Sequence, residues 1–171
     1  EQTHMTDQTA RCFFFDIDGT LVDLRQTWEA TYNSLYHKHH GFSLTEPEMK
    51  SMFGPPEAEC HANILRGRGL YTSERVDTLV SATETAMLST LEPTNIEPLP
   101  GVIDALNDLH QRKATVACYT GNLEPIARAI LRASSLDSYF EVLACADAKT
   151  ISRDQILKKA VDMLTAKGKV F

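Results

Sequence analysis

One stretch limits the possible folds more than any other. Cys12-Phe13-Phe14-Phe15-Asp16-Ile17 is a nearly continuous apolar run, and it leads into Asp16-Ile17-Asp18-Gly19-Thr20-Leu21-Val22-Asp23. A short apolar run without alternation marks a strand covered on both faces, as in a parallel sheet. Two further runs, Ala114 to Tyr119 and Glu141 to Cys145, have the same character. Helical patterns lie between and after them. Ile126, Ala127, Ile130 and Leu131 share one helix face, as do Ile156, Leu157, Ala160 and Leu164. Strand, helix, strand, helix predicts an α/β fold with a doubly wound parallel sheet.

The segment between the first two strands is too long for a single crossover. Leu24, Trp28, Leu35, Tyr36 and His39 recur at helical spacing, and Gly41 is placed to close that helix. Thr45-Glu46-Pro47-Glu48 reads as a capping box opening a second helix. A third is expected from Glu57 to Arg68 with Gly69 as its stop. A fourth from Ser73 carries Val76, Leu79, Val80, Met87 and Leu91. Residues 24–96 are therefore read as an inserted helical bundle, and 11–23 with 97–171 as the α/β core. Pro93, Pro98 and Pro100 make the return segment a stiff hinge linker. Val102, Ile103, Leu106 and Leu109 predict a core helix after it. Residues 1–10 form an N-terminal tail, in which Glu1 to His4 reads as a tag remnant before Met5. At the other end, Lys167-Gly168-Lys169-Val170-Phe171 reads as a helix stop and the start of a new strand. The core is thus expected to be truncated after its third strand.

Hydrophobic residues at 43% and charged residues at 23% fit a soluble globular protein. No apolar run approaches the roughly 18 residues of a membrane span. Seventeen Lys and Arg against 23 Asp and Glu leave a net charge of −6, which argues against nucleic acid as a partner. Cys12, Cys60, Cys118 and Cys145 contain no C-x-x-C pair and read as core residues of a reducing compartment. A cytoplasmic location is expected.

Chemistry concentrates after the first strand. In an extended chain, side chains at i and i+2 point the same way. Asp16 and Asp18 should therefore meet one pocket beyond the strand's carboxyl end, where open α/β sheets bind ligands. Two such acids can divide the work of nucleophile and proton donor. Gly19 permits a sharp turn and offers backbone N–H groups to an anion. The bland alternative is an acidic turn with a helix cap at Asp23. Tyr119-Thr120-Gly121-Asn122 ends the second strand. Its hydroxyl, glycine and amide, with the next helix N-terminus, suit a phosphate, although T-G-N alone is also an ordinary turn.

Asp16 to Asp23 resembles the first motif of the haloacid dehalogenase (HAD) superfamily of phosphohydrolases, matching D-x-D-G-T-L-x-D at every fixed position. The resemblance implies a Rossmann-like core and a Mg²⁺-dependent phosphatase acting through an aspartyl-phosphate. Asp16 would be the nucleophile and Asp18 the acid and base, with Asp16 and the Asp18 carbonyl as metal ligands. The dehalogenating branch lacks the second acid, so Asp18 favours phosphoryl transfer. Thr120, Gly121 and Asn122 resemble the second motif, and Gly19 joins them in binding phosphate. Arg153, opening Ser152-Arg153-Asp154-Gln155, resembles the third-motif helix start, with Lys149 as the runner-up. The acidic fourth motif, commonly G-D-x-x-x-D, is absent from the sequence.

The helical insert stands where phosphoglycolate phosphatases and β-phosphoglucomutases carry a cap. Phe53-Gly54-Pro55-Pro56-Glu57 resembles the substrate-facing loop of such caps, so Gly54, Pro55, Pro56 and Glu57 are specificity candidates. Arg66 and Arg68 are weighed as anion contacts against a solvated face. The expected partner is a small phosphorylated metabolite, with no nucleic acid and no membrane. Self-association through an open sheet edge is also expected. The alternatives are an impaired HAD-like phosphate-binding or interaction protein and a phosphomutase of the β-phosphoglucomutase type.

Overall fold

The computed structural model describes residues 11–147 and 152–169. Three strands, β1 (Cys12–Phe15), β2 (Thr115–Thr120) and β3 (Val142–Cys145), form a parallel sheet in the order β1-β2-β3. Phe13 lies opposite Val116, and Cys118 opposite Leu143. The apolar runs thus become a parallel sheet of Rossmann-like α/β type. β1 stops at Phe15, short of the expected Ile17. The reason is a tight turn, in which the Ile17 carbonyl accepts the N–H groups of Thr20, Leu21 and Val22.

Helices follow in the order α1 (Arg25–His40), α2 (Glu46–Ser51), α3 (Glu57–Gly67), α4 (Ser73–Leu91), α5 (Val102–Gln111), α6 (Glu124–Ala133) and α7 (Arg153–Ala166). Gly41 closes α1 at φ +76°, its N–H bonded to the His37 carbonyl. Thr45 and Glu48 form the capping box of α2, and Ser152 with Gln155 forms that of α7. α3 ends one residue before the expected Arg68, and Gly69 turns the chain at φ +68°. On α5 only Leu106 is buried, and Ile103 is exposed. That helix meets the sheet mainly at β2, so a narrow stripe is all it can bury.

The two sheet faces are covered separately. Val116, Cys118 and Cys145 join a cluster with Ile17, Ile126 and Ile130. Ala117, Val142 and Leu164 pack on the opposite face, where α7 lies. The first cluster continues through Trp28 and Tyr36 of α1, Leu79 and Met87 of α4 and Leu65 of α3. α4 also packs on α6, so the insert and the sheet share apolar contact. The proline-rich return touches the core at two points. Ile96 N–H bonds the Ala133 carbonyl, Leu99 N–H bonds the Leu21 carbonyl, and Ile96 is buried. Two main-chain bonds and an apolar anchor pin it to the core.

Cys60, Cys118 and Cys145 are buried free thiols, and burial pushes Cys60 and Cys145 up to about 12. Among the described residues, no helix is long and apolar enough to cross a membrane.

Candidate active site

The turn after β1 delivers two carboxylates, but by a different route from the one an extended chain suggests. The backbone leaves the ladder after Phe15, and Asp18 forms an isolated bridge with Val22. Asp16 Oδ1 accepts the Ile17 N–H at 2.8 Å, and Asp16 Oδ2 pairs with Arg153 Nη2 at 3.2 Å. Arg153 occupies the first turn of α7, which rises from the segment following β3. A cation there opposes the helix dipole, and the contact to Asp16 offsets that cost.

Asp18 is held from two sides. Trp28 Nε1 on α1 donates to Oδ1 at 2.9 Å, and Asn122 Nδ2 after β2 donates to Oδ2 at 2.7 Å. Burial pushes the Asp18 carboxyl above the usual carboxylate range. The two donated hydrogen bonds pull it back, and the neighbouring Asp16 and Asp23 carboxylates push it up again. Gly19 follows at φ +74°, with its N–H bonded to the Val22 carbonyl. A Cβ there would meet open space but would force a side chain into the left-handed region. Thr120 is almost wholly buried, and its Oγ1 accepts the Asn122 N–H at 3.2 Å. Asp23 Oδ1 accepts the Arg25 N–H at 3.1 Å, but it stands one residue outside the N-cap of α1, which is Leu24 and not the expected Asp23.

These groups open onto a single cleft of about 200 Å³. Asp16, Asp18, Gly19, Thr120, Gly121, Asn122 and Arg153 line its sheet end. Gly54, Pro55 and Glu57 line it from the turn between α2 and α3. Pro56 does not line it. It directly precedes α3, and its carbonyl is taken by the N–H groups of Glu59 and Cys60. Lys149 lies outside the described residues. Arg66 and Arg68 do not reach the cleft. Arg68 makes two 2.7 Å bonds to Glu48, and Arg66 lies over the Tyr71 ring.

Trp28, Tyr32, Arg25 and Phe53 also line the cleft. Trp28 counts in the sequence as one more member of a helical apolar stripe. The one available signal was an indole, which carries a donor, placed soon after an acidic turn. Arg25 covers the Phe53 ring at 4.6 Å. Among the described residues, no group of three or more His, Cys, Asp or Glu side chains is gathered to hold a metal.

The family model for haloacid dehalogenase-like hydrolases matches residues 13–169. Pyrophosphatase PpaX of Halalkalibacterium halodurans is 24% identical over 155 residues, covering 90% of this chain and 68% of that protein. Fructose-1-phosphate phosphatase YqaB of Escherichia coli is 26% identical over 133 residues, covering 78% of this chain and 68% of that protein. The crystal structure of CbbY from Rhodobacter sphaeroides in complex with phosphate superposes with a TM-score of 0.78. It is 18% identical, with 91% of this chain and 73% of that chain covered. By sequence and fold together, this chain belongs to the haloacid dehalogenase-like hydrolases.

Proposed function

We propose that this chain hydrolyses a small phosphate monoester. The observation that carries the reading is the division between two neighbouring acids. Asp16 faces a cation, whereas Asp18 is buried between two donors and holds its proton more tightly than an ordinary carboxyl. A charged nucleophile beside a proton donor is what ester cleavage needs.

In this reading Asp16 attacks phosphorus while Asp18 passes its proton to the departing ester oxygen. The P–O bond to the alcohol breaks, the alcohol leaves neutral, and an aspartyl-phosphate remains on Asp16. Asp18, now ionised, takes a proton from the water that cleaves the acyl-phosphate. Thr120, the backbone of Gly121, Asn122 and Arg153 surround the phosphate oxygens, while the Gly19 N–H is taken by the Val22 carbonyl and Gly19 serves the turn instead. Gly54, Pro55 and Glu57 face the alcohol.

The donor set suits Mg²⁺, which takes hard oxygen ligands. The Asp16 carboxylate and the Asp18 main-chain carbonyl would hold it, with water and the phosphate completing its shell. When bound it supplies charge compensation at the phosphate. The names of PpaX and YqaB, a pyrophosphatase and a sugar-phosphate phosphatase, support phosphate-ester or phosphoanhydride chemistry.

The test is hydrolysis of p-nitrophenyl phosphate with Mg²⁺ present. Activity abolished in Asp16→Asn supports the reading, and activity retained refutes Asp16 as nucleophile. A second reading, a phosphate-binding protein without turnover, is favoured by the small number of gathered acids among the described residues. Phosphate binding with no hydrolysis would select it. Return of the phosphoryl group to a sugar instead of water would select a mutase.

A further inference from the structure

The cleft contains a carboxylate that the proposed chemistry does not use. Glu57 begins α3, lines the cleft and is 9% exposed. Its Oε1 lies 3.4 Å from His61 Nε2. His61 is completely buried. The same Nε2 lies 3.3 Å from Thr83 Oγ1, whose own proton goes to the Leu79 carbonyl at 2.9 Å. Thr83 must therefore accept, so His61 Nε2 carries hydrogen and shares it between Thr83 and Glu57. On the other side of the ring, Nδ1 meets the Tyr36 hydroxyl at 3.0 Å. Tyr32 and Tyr36 flank the imidazole, with centroids 5.8 and 5.7 Å away. His61 is therefore fixed, and with it one oxygen of Glu57.

The other oxygen is different. Glu57 Oε2 makes no hydrogen bond among the described residues and is not a sealed, orphaned atom. It is left to the cleft. A largely buried carboxylate with one long, shared bond is costly unless a further donor reaches it. It accepts only, so it attracts a hydroxyl or an ammonium and repels a second anion. Arg25, which also lines the cleft, is already engaged with the Phe53 ring and with Glu29 Oε1 at 3.4 Å.

We infer that Glu57, positioned by His61, reads the alcohol portion of the substrate, and that this portion carries a hydroxyl or ammonium donor and no negative charge. The inference rests on the phosphate-ester reading and specifies its substrate class. Tyr32, Phe53 and Met52, which share the cleft, then cover the carbon atoms between the phosphate and that donor.

Phosphonates test this by binding alone, because their C–P bond survives the site. The comparison uses 3-aminopropyl-, 3-hydroxypropyl- and butylphosphonate, with inorganic phosphate as control, by calorimetric titration of the full chain with Mg²⁺. At least one donor-bearing analogue should bind on the order of tenfold tighter than butylphosphonate, the effect of a hydrogen bond to a charged group. Preference for the amine identifies an ammonium substrate, and preference for the alcohol a hydroxyl one. Glu57→Gln should shrink the difference, most for the amine. His61→Leu should abolish it, and His61→Gln, which keeps an N–H donor, should restore part of it. Equal binding of all three phosphonates by the unaltered chain, with phosphate bound, overturns this inference and leaves the phosphatase reading standing. Failure of phosphate and all three phosphonates to bind overturns both.

Discussion

Trp28 donates its indole N–H to Asp18 Oδ1 across 2.9 Å, and by that bond the first helix of the insert holds the acidic turn of the sheet. The ring is itself fixed, stacked on Tyr32 with centroids 5.6 Å apart. Asn122 completes the hold from the far side of the turn. Asp18 therefore has one orientation before any substrate arrives, so no rotamer entropy is lost in aiming its proton.

Asp18→Asn separates proton donation from phosphate binding. Asparagine cannot protonate a leaving alkoxide, so hydrolysis of alkyl phosphates should fall by about 10²–10⁴-fold. A p-nitrophenolate group departs without a proton, so its release in the first turnover should lose far less, although the later attack of water slows for both esters. Single-turnover release of the alcohol from the two ester classes decides it, and equal losses on both in that step would remove Asp18 from the role of acid.

Trp28→Phe keeps the aromatic body and deletes the donor. That donor is one of two bonds that lower the Asp18 pKa against the larger effect of burial. Removing it raises the pKa further. An acid works only while protonated, so the alkaline fall in kcat for an alkyl phosphate should move to higher pH. A pH–rate profile that does not move, or moves down, contradicts this assignment.

Arg153→Met addresses the ion pair with Asp16. The guanidinium is 62% exposed against 17% for Asp16, so solvent screening leaves it little part in stability. Its expected contribution is to phosphate binding. The inhibition constant for inorganic phosphate should rise on the order of tenfold, as for loss of a charge-assisted hydrogen bond. An unchanged constant would place the phosphate away from Arg153.

Much of this was legible along the chain because local rules suffice there. Apolar runs without alternation specify buried parallel strands, and Gly41 and the Thr45–Glu48 box specify helix ends. Asp16, Asp18, Thr120 and Arg153 each stand at a strand end or helix start, which the topology then brings together. Contacts set by tertiary packing were not legible. Asp18 meets Asn122 across 104 positions, and Trp28 is a core residue by periodicity yet turns its N–H toward an acid. Pro56 shares a loop with Gly54 and Pro55, but the start of α3 removes it from the cleft. The prolines mark the return segment as stiff, but its hydrogen-bond partners, Ala133 and Leu21, are set by the tertiary fold and leave no mark in the sequence.

The Glu48–Arg68 pair gives an acid-stability signature. Arg68 donates to both Glu48 oxygens and holds that carboxyl down to about 2 from 4.5. A depressed folded-state pKa adds stability that is fully present above 4.5 and is lost as pH falls through about 2. Glu48→Gln keeps an acceptor for the Thr45 cap but removes the charge. The variant should melt below the parent at neutral pH, and the gap should close between pH 4.5 and 2. A gap constant over that range, by thermal melts at several pH values, would show that charge is not what Arg68 contributes.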